Sequence, residues 1–305
     1  MNDHAADNQP LISIVTLNYN QAAVTEAFLR SCLSLRYPNY EILVCDMASE
    51  ERLEDKLDSS HYPKTRILHS GKNLGFAGGN NWGIRQAAGE FIFIVNNDTE
   101  LTPDILDLLI LPFSENPAIG VVCPKIRYFS NPDVIQYAGF RPMNPYTGRT
   151  STVGDQEKDL GQYDIPGPTF GAHGCAMMVK REVIARTGMF PEKFFLYYEE
   201  WDWSARIQKA GFIIWYQPSA IIYHKVSLTV GRENPRTTYY LTRNRILYMR
   251  RNSGVIQLFL FILFYIFFTF PKAVLGYIFR GEWAELRYFL KGVWYNLRHS
   301  SSSAQ

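Results

Sequence analysis

The sequence predicts an α/β fold: a mixed, mostly parallel sheet sandwiched by helices, followed by an apolar and amphipathic helical tail. Short β-rich apolar runs alternate with segments of helical periodicity from Leu11 to Cys123, the pattern of βαβ units. Polar side chains gather directly behind those runs. From Val255 onward the chain turns strongly apolar.

The elements follow in order. Leu11 to Leu17 is a strand ending in Asn18-Tyr19-Asn20, and the spacing of Val24, Phe28, Cys32 and Leu35 makes the next segment a helix. Tyr37-Pro38 stops it, Glu41 to Cys45 is a second strand ending on Asp46, and Arg66 to His69 is a third. A glycine-rich loop from Gly71 to Gly79 leads into a helix reaching about Ala88, then the strand Phe91 to Val95. A helix near Pro103 to Leu111 and a strand at Val121 to Cys123 follow, and Phe140 to Pro168, rich in Gly, Pro, Thr and Asp, reads as long loops. Gly174 to Val179 is a strand, Arg181 to Thr187 a helix closed by Gly188, Glu200 to Ala210 a helix closed by Gly211, and Ala220 to His224 a strand. Ligands of such sheets sit outside the carboxyl ends of the strands, so Asn18 to Asn20, Asp46 and Asn96 to Asp98 should meet in one crevice.

The chain has 305 residues, 47% hydrophobic and 20% charged, enough for one large domain with an appendage. A formal net charge of +2 gives no reason to expect a nucleic-acid partner. The charge is unevenly spread: Lys225 to Arg298 carries twelve basic residues against three acidic ones. The four cysteines lack CxxC spacing and read as buried free thiols of a reducing compartment. Met1 to Pro10 has neither the basic nor the apolar region of a secretory signal, which places the folded part in the cytosol.

Three places carry chemistry. Asn96-Asn97-Asp98, behind a buried strand, offers hard oxygens suited to Mg²⁺ or Mn²⁺ holding a diphosphate; a turn capping the next helix is the competing reading. Tyr197 to Asp202 sets three carboxylates at a helix start, where the dipole lowers their pKa, amid aromatic walls that raise it. His224 closes a strand, where a lone histidine is more often a satisfied structural residue than a metal ligand. Asn73 to Asn81 is similar to a phosphate-cradling loop, without the P-loop ending or the dinucleotide GxGxxG spacing.

Together Ser13 to Asn20, Asp46, Asn73 to Asn81, Asn96-Asn97-Asp98 and Phe194 to Asp202 resemble family 2 glycosyltransferases of the rhamnosyltransferase-like branch, over about Leu11 to Asn252. The resemblance implies a GT-A fold, with residues 11–123 as the nucleotide-sugar half and 124–252 as the acceptor half. Residues 1–10 would form a polar extension, 253–299 a membrane-associating helical tail and 300–305 a disordered end. It implies nucleotide or donor contacts from Thr16, Asn18, Asn20, Asp46, Asn73, Gly75, Asn80, Asn96 and Asn97, and a divalent metal (Mg²⁺ or Mn²⁺) on Asp98 and His224. Asn96 departs from the family's DxD pattern. Glu200 takes the position of the catalytic base, with Glu199 as the alternative, and His173, Gly174, Tyr198, Trp201 and Asp202 become acceptor contacts. The implied reaction moves a sugar, L-rhamnose from dTDP-rhamnose by the branch resembled, onto a polyprenyl-diphosphate-linked or polysaccharide acceptor with inversion. The basic loop Ser227 to Arg236 would fold over the donor. A sugar nucleotidyltransferase or a silent nucleotide-sugar binding protein are the alternatives.

Arg243, Arg245, Arg250 and Arg251 precede the apolar run and keep the preceding domain cytoplasmic. Val255 to Phe270 is short of the roughly 20 residues of a simple span, and Pro271 divides it from Ala273 to Phe279. With the stripe Trp283, Leu286, Phe289, Leu290, Val293, Trp294 and Leu297, the tail reads as peripheral or monotopic helices on the cytoplasmic face of the inner membrane. A homodimer interface is the other reading.

Overall fold

The computed structural model describes residues 9–225 and 234–300. Its centre is β1 (Ile12–Asn18), buried along nearly its whole length as a strand covered on both faces must be. Parallel neighbours β2 (Tyr40–Asp46) and β4 (Phe91–Val95) flank it, and β3 (Thr65–His69) extends the edge beyond β2. Past β4 the sheet becomes mixed. Antiparallel β9 (Ala176–Lys180) joins β4 to β6 (Ile119–Tyr128), and β10 (Ile213–His224) runs parallel to β6. The short β5 (Thr99–Leu101) closes that edge, while β7 (Asn131–Tyr137) pairs with β6 and β8 (Gly167–Pro168) with β10.

Helices α1 (Ala22–Cys32), α2 (Gly75–Gln86), α3 (Ile105–Glu115), α4 (Arg181–Thr187) and α5 (Glu199–Lys209) carry the connections. The expected glycine loop is mostly helix. A Cβ on Gly79 would stand 2.8 Å from Met47 Sδ and one on Gly83 2.6 Å from Cys45 Sγ, so these glycines let α2 lie close on β1 and β2.

Other boundaries move as well. β6 spans ten residues and β10 twelve, the latter through a register shift between Gln217 and Ile221 beside Pro218. The stretch before the tail is α6 (Pro235–Asn252), started by Pro235 and capped by Asn234, whose side chain accepts from the Arg236 N–H at 3.0 Å. Of the basic loop Ser227 to Arg236 expected to cover the donor, residues 227–233 lie outside the described residues and Pro235-Arg236 already belong to α6.

Pro271 does not divide the tail. α7 (Val255–Phe264), a widened π-type turn (Tyr265–Thr269) and α8 (Phe270–Phe279) form one helix of 25 residues, long and apolar enough to cross a membrane. The widened turn, together with Pro271 in the first turn of α8, absorbs the missing N–H. α9 (Trp283–Arg298) then folds back on α6 and α8. Phe261, Tyr265 and Phe289 of the tail share one apolar cluster with Phe194, Trp201, Leu247 and Met249, so the tail has a common core with α5 and α6.

Candidate active site

Parallel register sets Asn18 opposite Asp46. Asn18 Nδ2 donates to Asp46 Oδ1 at 2.7 Å, Ser49 Oγ donates to the same oxygen at 2.6 Å, and the Ser49 N–H reaches Asp46 Oδ2 at 3.1 Å. Thr25 Oγ1 donates to Asn18 Oδ1 at 2.8 Å and accepts from Asn97 Nδ2 at 2.9 Å, linking the ends of β1, β2 and β4 in one polar chain. Asn20 steadies the same loop by accepting from the Glu50 N–H at 2.8 Å. Buried Asn18 therefore orients Asp46 and is itself fully engaged. Thr16 is buried on β1 with an unpartnered hydroxyl.

The first amides of α2 are already taken. Asn73 Oδ1 accepts from the Gly75 N–H at 2.8 Å, and Phe195 O accepts from the Phe76 and Ala77 N–H groups at 2.8 and 3.4 Å. A Cβ on Gly75 would stand 2.5 Å from the Phe195 ring, and Asn80 turns back to donate to Phe76 O at 3.0 Å. The structure thus ties this helix start to Phe195, correcting the phosphate-cradle expectation.

Asp98 and His224 come together because β5 pairs antiparallel with the end of β10. His224 Nε2 lies 3.1 Å from Asp98 Oδ1, an oxygen with no well-aligned hydrogen bond among the described residues. Gln136 Oε1 stands 2.8 Å from His224 Nδ1; with Nδ1 protonated it fixes the tautomer and turns Nε2 toward Asp98. Burial of the ring opposes its charge, but Cys175 and the Asp98 carboxylate outweigh it and lift His224 to about 10. A cation would have to displace the Nε2 proton of that imidazolium; with the proton gone, the Asp98 carboxylate and the oriented imidazole fit Mn²⁺ or Mg²⁺. Among the described residues no third acidic, histidine or cysteine ligand joins them, so a diphosphate and water would complete such a shell.

The acid pair opens α5. Glu199 is 3% exposed and Glu200 only part-buried, and each keeps an Oε2 with no hydrogen-bond partner among the described residues. Burial, not the helix dipole, dominates: it lifts Glu200 to about 7, and burial plus the neighbouring Glu200 lifts Glu199 well above the usual carboxylate range. Glu200 lines a cavity of about 220 Å³ with Met143, Arg149, Thr150, Tyr197, Tyr198, Trp201 and Leu241, while Glu199 does not reach it. Before the pair, Phe195, Tyr197 and Tyr198 all have left-handed backbones, at φ 65, 69 and 71°. Asn244 on α6 holds that segment, its Nδ2 within 2.7 to 3.0 Å of the Phe194, Leu196 and Tyr197 carbonyl oxygens.

Gly174-Cys175 joins the two centres. A Cβ on Gly174 would stand 4.0 Å from Glu200 Cγ, while Cys175 O accepts from the Asn96 N–H at 2.9 Å and its thiol neighbours His224. His173 is held neutral by burial and then by His224, which lower it to about 3. Trp201 packs against Phe140 at 4.5 Å between ring centroids, and Tyr198 donates to Gly148 O at 2.9 Å. Asp202 corrects the acceptor expectation: 1% exposed, it accepts from Arg206 at 3.2 Å, Arg251 at 2.7 Å and Asn252 at 2.9 Å, which leaves no face for a sugar. Sequence reasoning missed Gln136, Asn244, Thr25 and Ser49 as supports of the site.

A strand-end carboxylate and imidazole thus lie on one side of a small glycine and an acid pair on the other. Residues 13–188 match Glycosyl transferase family 2, and the chain belongs to that family. It is 26% identical over 254 residues to N-acetylglucosaminyl-diphospho-decaprenol L-rhamnosyltransferase of Mycobacterium tuberculosis, covering 73% of this chain and 78% of that one. Its fold is similar to that of the mannosyltransferase PcManGT from Pyrobaculum calidifontis in complex with GDP-Man and Mn²⁺ (TM-score 0.58, 16% identity, 96% of this chain and 88% of that one). It is also similar to GalNAc-T7 with UDP, GalNAc and Mn²⁺ (TM-score 0.62, 15% identity, 82% and 53% covered).

Proposed function

We propose that this glycosyltransferase is inverting and metal-dependent, moving L-rhamnose from dTDP-rhamnose onto a polyprenyl-diphosphate-linked sugar at the cytoplasmic face of the inner membrane. The observation that supports the chemistry is the Gly174-Cys175 dipeptide: a Cβ on Gly174 would stand 4.0 Å from Glu200 Cγ, while the Cys175 thiol neighbours His224, the partner of Asp98. Glu200 takes the proton of an acceptor hydroxyl, whose oxygen attacks the anomeric carbon from the face opposite the leaving diphosphate, so one C–O bond forms as the other breaks. Asp98 and His224 would hold a divalent cation, which when bound would supply positive charge to that leaving group. Glu200 rather than Glu199 is the base because it lines the cavity. Asp46 meets the base or ribose of the nucleotide, held by Asn18 and Ser49.

The donor and the lipid acceptor rest on the likeness to the mycobacterial rhamnosyltransferase. The membrane rests on the tail. Phe259, Phe267, Phe268, Phe279, Trp283 and Leu297 are exposed, an unusual apolar surface for water. Thr147, Arg149 and Tyr198 face the same cavity as Phe264 to Arg280, so a crossing helix would carry the acceptor half into hydrocarbon. The helix therefore lies along the surface, with the Trp283 to Leu297 face of α9 beside it. A homodimer through the groove between Phe270 and α9 is the competing assignment, and it requires a dimer that persists without lipid.

The test is transfer from a panel of nucleotide sugars to a polyprenyl-diphosphate sugar by detergent-extracted protein, with and without Mn²⁺. Metal-dependent transfer from dTDP-rhamnose with inverted configuration is expected; retained configuration, or nucleotide binding with no transfer from any donor, overturns the proposal.

A further inference from the structure

A second and larger cavity, about 640 Å³, lies between the acceptor half and the tail. Its walls include Thr147 and Arg149 of the acceptor half, Thr242 and Arg245 of α6, and Lys272 and Tyr277 of α8. Among the described residues no carboxylate lines it. Arg149, Arg245 and Lys272 make no ion pair among the described residues. Arg245 is only 6% exposed, its Nε has no hydrogen-bond partner among the described residues, and its guanidinium sits 5.1 Å from the Tyr265 ring centroid. An unpaired buried cation is costly unless an anion joins it. None of the wall belongs to residues 11–123, where Asp46 and Asp98 stand.

We propose that this cavity binds the diphosphate of a lipid-linked acceptor, an assignment that rests on the lipid-acceptor reading above. Arg149, Arg245 and Lys272 offer the forked and point-charge donors that phosphate oxygens take. The cavity shares Arg149, Tyr198 and Leu241 with the smaller one that Glu200 lines. A diphosphate held here puts the first sugar in the Glu200 cavity, while Phe264 and Phe268 at the rim pass the hydrocarbon chain to the exposed apolar face of the helix.

The experiment titrates full-length protein in detergent with farnesyl diphosphate, farnesyl monophosphate, farnesol and inorganic diphosphate, with EDTA present to suppress diphosphate binding through a metal at Asp98. It compares wild type with the Arg149→Ala/Lys272→Ala double variant, with thermal unfolding as a check of folding. Farnesyl diphosphate is expected to bind at least tenfold more tightly than farnesol, and the double variant to lose at least tenfold while unfolding at the wild-type temperature. Equal binding of farnesol, binding of inorganic diphosphate as tight as farnesyl diphosphate, or undiminished binding by the double variant would overturn the assignment. The two readings fail differently: an unchanged KM for a polyprenyl-diphosphate sugar in the double variant removes this site alone. Transfer only to soluble sugars, with farnesyl diphosphate still bound by Arg149 and Lys272, removes the lipid-acceptor reading alone.

Discussion

Asn244 Nδ2 stands 2.7 Å from the carbonyl oxygen of Tyr197, a residue with left-handed backbone two positions before Glu199. The same amide lies 3.0 Å from Phe194 O and 2.7 Å from Leu196 O, and its side chain is wholly buried. Strained backbone of this kind costs on the order of 1–3 kcal/mol per residue and persists only where the surroundings enforce it. Asn244→Ala is expected to destabilise the protein by roughly 2 kcal/mol through the orphaned carbonyls and to lower kcat more than it raises KM. A steady-state comparison checks this, and an unchanged kcat in folded variant would remove the positioning role.

Glu200→Gln should reduce kcat by about 10² to 10⁴, the range for loss of a general base. With Glu200 lifted to about 7, wild-type kcat/KM should climb as pH rises through 7, when the carboxylate form appears, and the variant should lack that limb. A pH–rate profile decides between Glu200 and Glu199.

Stability should move the opposite way. A carboxyl raised from 4.5 to about 7 favours the folded state fully below pH 4.5, and that contribution, roughly 3 kcal/mol, is lost as pH rises through 7. Glu200→Gln does not ionise, so its melting temperature should gain on wild type between pH 5 and pH 8. Parallel melting curves would refute this.

Gln136→Leu should weaken Mn²⁺ binding about 10- to 100-fold by releasing the His224 ring, the usual cost of losing a partner behind a metal ligand. Removing metal with EDTA should abolish transfer in wild type and be reversed by Mn²⁺. Titration of the metal-depleted protein in the presence of nucleotide measures both.

Lys125, 1% exposed, pairs with Asp159 at 3.0 Å and with Asp164, while Arg127 reaches Asp159 at 2.5 Å. This network pins the Asp155 to Ile165 segment to β6. Asp159→Ala combined with Asp164→Ala strands a buried ammonium and should cost about 3 to 5 kcal/mol, read by denaturant unfolding, with little effect on donor binding.

The positions of Asp46 and Asp98 were legible because each follows an apolar run that only a buried strand explains. The acid pair was legible because carboxylates among six aromatics need a reason. Gln136 and Asn244 were not, since each works on residues about 50 to 90 positions away and carries no local pattern. The glycines of α2 misled because a phosphate cradle and close helix packing ask for the same residue; Met47 and Cys45 opposite them, which decide the matter, are brought there only by the fold. Pro271 misled because a π-type turn before it absorbs the break.

Asn296 of α9 donates to Arg243 O at 2.9 Å, and Gly292 brings α9 against Tyr239 and Thr242 of α6, the helix that carries Asn244. The order in which the chain is made then matters. On the ribosome the sheet and both carboxylate centres emerge well before α9, yet α6 has no finished support until Asn296 has been added and docked. On the proposed assignment the growing polypeptide would bind nucleotide while Glu200 is still unplaced, and competence for transfer would arrive late, with the folding of α9.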